Sequence, residues 1–544
     1  MSASPTRPQA CLLSLPRELR FLIYRFYFEL EGGYVFDRED PYNGTLANAG
    51  GHAIDLSLMY ACRSIAAETK DLPLQLNTVT FSTAYHQDWS PLAGRFEYLS
   101  ILYCQIEEDL AKNLYPFITP EISIDIAHRF PSFVGILESF RRSIGSLDAP
   151  HRFEYTHRFA EAVITSLSDV SGRGITGAII PTRRPIIRPF QLYHHRIHYS
   201  PDQLHSTFQQ AATYTLSLLR QKEPAKFQEF VNAAPWRFKP SEFDSLRLDP
   251  WAIPLSAEPA RIGHLLEDEE VWEAIQKWNY PIDEDALRRF YQPRPHRFRP
   301  SETRRYLTNN VCFRQSFRFS AAAVAIRFLD RLSPSQRLNL RRIVLQEDHV
   351  SVGQPECHAI GLIPFCRENP RLRIERHVGL WRNILHTIQR ASFLELPDVI
   401  DDITKGERRC YIDHKRLAPA LGSWFGEALA AVDAGMPAGS FTLVLDGNPA
   451  INLSSEIFQN TIQPNITVEK AFGRCFNTGP DSVNEYGQLA GIKIGSWAGN
   501  HLLRGMDHLN NQASVIQCNF NPGMPWDLDK MVEERRQWPA EGEE

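Results

Sequence analysis

Gly172-Arg173-Gly174-Ile175-Thr176-Gly177 has the G-x-G-x-x-G spacing whose glycines let a backbone close on a pyrophosphate when the run links a strand to a helix N-terminus. Here a helical pattern precedes it, and Pro181 and Pro185 follow where the helix should run, so the sequence predicts a loop. His194 and His198 could converge on a metal from one helical face, with His195 beside them, but the triplet stands alone and is read as structural or solvated histidine. Cys357-His358 and Cys366 fit neither a C-x2-C pair nor a finger, and buried thiols are expected. Asp446-Gly447-Asn448 closes a strand-like run, where open α/β sheets keep carboxylates for chemistry, yet the same triplet is a turn signal. No Walker, nucleophile-elbow, zincin or kinase signature occurs. The sequence therefore assigns no catalytic residue, no metal ligand and no cofactor.

Two arginine-rich stretches could hold phosphates. Residues 170–201 carry Arg173, Arg183, Arg184, Arg188 and Arg196 without an acidic residue; 288–306 interleaves arginines with Phe290, Tyr291, Phe298 and Tyr306. The whole chain has a net charge of -5 and a pI near 6.4, which gives no general attraction to nucleic acid. Nucleic acid is thus not an expected partner, and these arginines are read as pairing with acidic patches. Arginine far outnumbers lysine, 48 to 11, which suits carboxylate pairing inside interfaces.

The elements that must position such groups are mostly helices. Leu12, Leu15, Leu19, Leu22, Ile23, Phe26 and Leu30 recur at helical spacing, with Pro16 and Glu18 suited to a first turn and Gly32-Gly33 to a stop. Residues 34–51 are turn-rich and predict a small hairpin. Leu58, Met59, Cys62, Ile65, Ala66 and Thr69 share a second helical face that Pro73 is expected to end, and Asn77-Thr-Val-Thr-Phe-Ser then alternates like a strand. Residues 91–300 read as helices, such as 160–167 and 265–278, joined by proline-rich connectors. Ser200-Pro201-Asp202-Gln203 fits a capping box. In the last third, helical patterns alternate with apolar strands at 342–346, 372–376 and 441–445, and a helix over 355–368 makes the first two a βαβ unit. Ser333-Pro334-Ser335-Gln336 is another capping box. The end, from Trp526, holds seven acidic and three basic residues and is expected to fray.

Composition bounds the rest. The 43% hydrophobic and 23% charged fractions are globular values, which exclude a disordered, collagenous or rod-like chain. A mean hydropathy of -0.32 and the lack of a long apolar run predict no membrane span. Nine cysteines without paired spacing and no secretory pattern predict free thiols and an intracellular, cytoplasmic or nuclear location.

Leu13-Ser-Leu-Pro-Arg-Glu-Leu-Arg-Phe-Leu-Ile-Tyr, then Leu56-Ser-Leu-Met-Tyr-Ala-Cys-Arg-Ser-Ile-Ala-Ala-Glu-Thr, then Asn77-Thr-Val-Thr-Phe, follow the pattern L-P-x-E-L-R-x-x-I-Y, C-R-x-I-x-x-E and N-T-x-x-F. This resembles the N-terminal module of fungal F-box-like (EXR-type) proteins over roughly residues 11–82. The resemblance implies a small helical platform whose apolar face, here Leu15, Pro16, Leu19, Ile23 and Cys62, docks on a Skp1-like adaptor of a cullin ubiquitin ligase while the remaining chain selects a protein substrate. Unlike a standard F-box, an excursion over 31–55 splits the halves, and Arg63 follows Cys62 where a tryptophan tends to come soon after. The alternative is that these side chains pack on the protein's own helices. The expected fold is α+β and mainly helical: an F-box-like module over 1–90, a helical region over 91–300, an α/β region over 301–525 and an acidic tail over 526–544. The function expected is a non-enzymatic interaction protein, possible alternatives being a scaffold without Skp1 binding or an enzyme with its site in the α/β third.

Overall fold

The computed structural model describes residues 12–36, 44–86, 89–144, 204–233, 236–266, 317–385, 396–405, 414–476, 499–509, 511, 514–530 and 533. The chain is an α+β protein, mainly helical, and its described residues build one seven-stranded sheet. Its strands are β1 (Tyr34–Phe36), β2 (Leu46–Asn48), β3 (Thr78–Ser82), β4 (Arg342–Glu347), β5 (Arg373–Gly379), β6 (Phe441–Asp446) and β7 (Ile516–Cys518), in the order β2-β1-β3-β4-β5-β6-β7. The β1–β2 hairpin is antiparallel, and every other pairing is parallel.

From β3 to β7 each new strand is added on the same side of the last. Right-handed crossovers repeated in one direction put every connection on one face of the sheet. The packing agrees: α11 (Ala321–Arg331) lies on β3 and β4, and the helical layer runs on from α11 to the 3-10 segment Pro355–Leu362, then to α15 (His414–Asp433) and α18 (Gly499–Leu509). Side chains alternate accordingly. Ile343, Leu345, Ile374, Val378, Leu443 and Leu445 are buried toward the helices, while their neighbours on the other face stay partly exposed. Parallel sheets usually bury both faces, so this one is unusual in covering one more fully than the other.

The N-terminal segment contributes α1 (Arg17–Phe28), α2 (Ser57–Tyr60), α3 (Arg63–Thr69) and α4 (Leu72–Leu76). The single helix expected over 58–69 is broken into pieces, and Pro73 lies in the first turn of α4 rather than ending a helix; a missing N–H is harmless there. The middle segment holds α5 (Ser90–Leu114), α6 (Pro120–Arg129), α7 (Val134–Ile144), α8 (His205–Lys222), α9 (Pro224–Asn232) and α10 (Ala257–Leu266), with α5 packed on α8, α9 and α10. The described part of α8 starts at His205 with Leu204 before it, and the capping residues expected at 200–203 lie outside the described residues, as do 160–167 and 267–278. The last segment adds α12 (Pro334–Arg337), α13 (Ile363–Glu368), α14 (Leu396–Thr404), α16 (Ile451–Ile457) and α17 (Gln463–Phe476). At α12 the expected capping box is formed: Gln336 N donates to Ser333 Oγ, and Ser333 N donates to the Gln336 side chain.

The sheet crosses the segment limits read from the sequence. Val79 and Phe81 on β3 are fully buried, and β4, from the last third, supplies the partner strand they need. Between β4 and β5, Glu347 and Arg376 form an ion pair at 2.7 Å under the helical layer, 0% and 1% exposed. Glu347 also accepts from the first amides of α11, Ala321 N and Ala322 N, and Arg376 donates to Pro355 O and stacks over Trp424. Gly353 makes the loop after β4 possible. Its φ is +76°, and a Cβ there would lie 2.2 Å from Pro250 O.

Candidate protein-interaction surface

α1 has two different apolar faces. At about 100° per residue, Tyr24 and Phe28 fall on one side and Leu19, Leu22, Ile23 and Phe26 on the other. Tyr24 and Phe28 are buried with Ile65 and Leu72 in a small cluster, separate from the main core and edged by Leu12, Tyr27, Leu56, Leu58, Met59 and Leu76. The N-terminal helices therefore have a small core of their own.

Polar contacts lock this cluster. Arg20 donates through Nε and Nη2 to the Glu68 carboxylate at 3.0 and 2.6 Å, and Tyr24 OH donates to the same carboxylate at 2.9 Å. The Arg20 hydrogen bonds, then that of Tyr24, hold the Glu68 carboxyl below its ordinary range. Arg20 Nη1 also donates to Leu15 O at 2.6 Å, fixing the chain just before α1. At the other end, Asn77 Nδ2 donates to Phe28 O and Pro73 O, and Leu30 N donates to Asn77 Oδ1. The turn that follows needs glycine: Gly33 has φ +65°, and a Cβ would sit 2.4 Å from Thr78 O.

The residues that carry the resemblance thus divide by role. Arg20, Tyr24, Ile65, Glu68 and Asn77 face inward and join the pieces. Leu19, Leu22 and Ile23 are 41–48% exposed and Phe26 is 85% exposed, on one stripe of α1. Of the site residues expected from sequence, Leu19 and Ile23 lie on this stripe, Pro16 is exposed as the residue before α1, and Leu15 is half-buried. Cys62 is exposed at the start of α3, on a different helix. Leu22 and Phe26 belong to the surface but were not among the expected site residues. Their signal was the leucine periodicity itself, and the i, i+4 aromatic pair Tyr24 and Phe28 marks the buried side.

Comparison with family models, with curated proteins and with solved structures finds no match to this chain.

The other chemical candidates are tied into the fold. Cys357 is buried, its Sγ contacts Gln354 O, and burial pushes its thiol well above the ordinary value, which suppresses the nucleophilic thiolate. His358, also buried, bridges Ser320 Oγ and Gly353 O, and burial followed by the charge of Arg376 brings it down to about 3, so it stays neutral. Cys366 is buried too. Asp446 Oδ1 accepts from Asn448 N, Asn448 Nδ2 and Asn519 Nδ2, which makes the triplet a clasp between the ends of β6 and β7. Among the described residues no group of His, Cys, Asp and Glu has a metal-binding arrangement, and no helix is long and apolar enough to cross a membrane. A cleft is lined by Tyr103, Cys104, His205, Gln209 and Gln354, among others. The 172–177 glycines, His194, His195, His198 and the two arginine-rich stretches lie outside the described residues.

Proposed function

We propose that this chain is a protein-interaction protein whose α1 stripe docks on a Skp1-like adaptor, the rest of the chain selecting a substrate for a ubiquitin ligase. The observation that carries the reading is the row of Leu19, Leu22, Ile23 and Phe26 left exposed on a helix whose opposite face is already filled. A monomer gains nothing by holding a contiguous apolar row in water, whereas an interface uses such a row as its dry centre. The resemblance of residues 11–82 to F-box-like modules names the adaptor. A scaffold reading has its own support, because β1 and β3 join the module to the main sheet and could make it plain architecture.

Capture of a purified Skp1-like adaptor by the full chain distinguishes them. The expected result is saturable binding that Leu19→Asp with Ile23→Asp abolishes while the melting temperature stays near that of the parent. An adaptor that does not bind the parent at tens of micromolar would overturn the ligase reading and leave the scaffold.

A further inference from the structure

The less covered face of the sheet is the second surface with a distinct chemistry. In the parallel register Thr78 lies opposite Arg342, and Arg342 opposite Arg373, so two exposed arginines stand side by side at the amino ends of β4 and β5. Adjacent strands are about 4.8 Å apart, a spacing at which like charges repel unless an anion lies between them. Arg371, in the turn two residues before Arg373, is exposed, and its side chain has no hydrogen bond or ion pair among the described residues. The local acid is Glu375, which Arg342 meets at 3.2 Å and His377 at 3.5 Å. Arg373 is braced by donation from Nη1 to Pro370 O and Leu372 O, which orients its fork without neutralising it.

We propose that Arg342, Arg371 and Arg373 form a docking site for a carboxylate-rich segment of a partner protein. Guanidinium forks pair with carboxylates in bidentate fashion, and two forks one strand apart offer that geometry twice. Glu375 selects among anions: beside Arg342 it repels a doubly charged phosphate more than a singly charged carboxylate. Nucleic acid fits less well. A single-strand groove needs aromatic platforms, and the next positions on this face, Val344, Gln346, Glu375, His377 and Thr442, include no phenylalanine, tyrosine or tryptophan. The site is separate from α1 and does not depend on the adaptor reading.

The test is fluorescence anisotropy of a labelled octaglutamate peptide titrated with the full chain at low and at physiological salt. Saturable binding is expected, weakened by salt and at least tenfold by Arg342→Glu with Arg373→Glu, but unchanged by Arg25→Glu, which lies on α1. Arg371→Gln covers the case in which the double variant fails to fold, since that side chain holds nothing in place; it should weaken binding severalfold. Absence of saturable binding by the parent, an Arg371→Gln variant that binds like the parent, or an RNA oligomer of equal charge competing as well as the peptide would each overturn the proposal.

Discussion

Phe26→Ala separates a docking face from a packing face more sharply than any other single change on α1. The ring is 85% exposed, and of the roughly 200 Å² that a phenylalanine side chain can bury, about 170 Å² is therefore in water. At about 25 cal/mol per Å², covering it with a partner is worth at most about 4 kcal/mol, and central aromatic anchors measured at interfaces fall at about 2–4 kcal/mol. Truncation should thus weaken adaptor binding by about 30-fold to 1,000-fold. In the free protein the same change removes almost no packing, and alanine is a better helix former, so stability should move by less than about 0.5 kcal/mol. Phe28→Ala, two residues on and 2% exposed, supplies the contrast, with a loss of about 3–5 kcal/mol. Urea unfolding and calorimetric titration of adaptor into each variant read both quantities. If Phe26→Ala unfolds as easily as Phe28→Ala, or if adaptor binds and Phe26→Ala leaves its affinity unchanged, the division of α1 into inner and outer faces is wrong.

Two further outcomes test the interior. Arg376→Met should cost about 3–5 kcal/mol in urea unfolding because it leaves Glu347 buried and unpaired, and adding Glu347→Leu should recover part of the loss; equal effects of single and double variants would refute the pairing. Burial pushes Glu107 and Glu427 up to about 7 and Glu108 up to about 8, from an ordinary 4.5. The fold holds their protons more tightly than the unfolded chain does, so their stabilising contribution is complete below about pH 4.5 and lost as pH rises through about 7 to 8. His358, held at about 3, acts in the opposite sense below its ordinary 6.5. Unfolding free energy measured from pH 5 to 8 should fall, with a shallower slope in Glu107→Gln; a slope unchanged by that substitution would show that Glu107 does not titrate in this range.

The sequence was most informative where one local rule acted alone. β4, β5 and β6 were visible because alternation survives when one sheet face is more fully buried than the other, and the Ser333 capping box because its atoms are all within four residues. Less visible was what depends on distant partners. Nothing near Thr78 announces that its strand pairs with Arg342 across more than 250 residues, and nothing near Glu347 that Arg376 will neutralise it. The α1 stripe shows the limit clearly. Leucine spacing reveals an apolar side in Leu19, Leu22, Ile23 and Phe26, but which side is filled depends on Ile65 and Leu72 arriving opposite Tyr24 and Phe28. The periodic leucines would ordinarily be read as the core, yet here the aromatic pair is inside and much of the leucine row is outside.

The two proposed surfaces are joined by few covalent steps. Asn77 holds the end of α1 through Phe28 O and Leu30 N, and the next residue, Thr78, is already in the parallel ladder opposite Arg342 and, one strand further, Arg373. The α1 stripe is thus anchored to the arginine rim through a buried side chain and adjacent strands rather than through a loop. An adaptor on one and an acidic segment on the other would be held in a set relation, because moving α1 relative to the sheet means breaking the hydrogen bonds of a buried amide, each unmet polar group costing about 1–3 kcal/mol. A flexible tether would let the two occupants adjust to each other; this arrangement makes their separation a property of the fold. The proposed adaptor role uses such a spacing, one occupant being held at a fixed distance from the other.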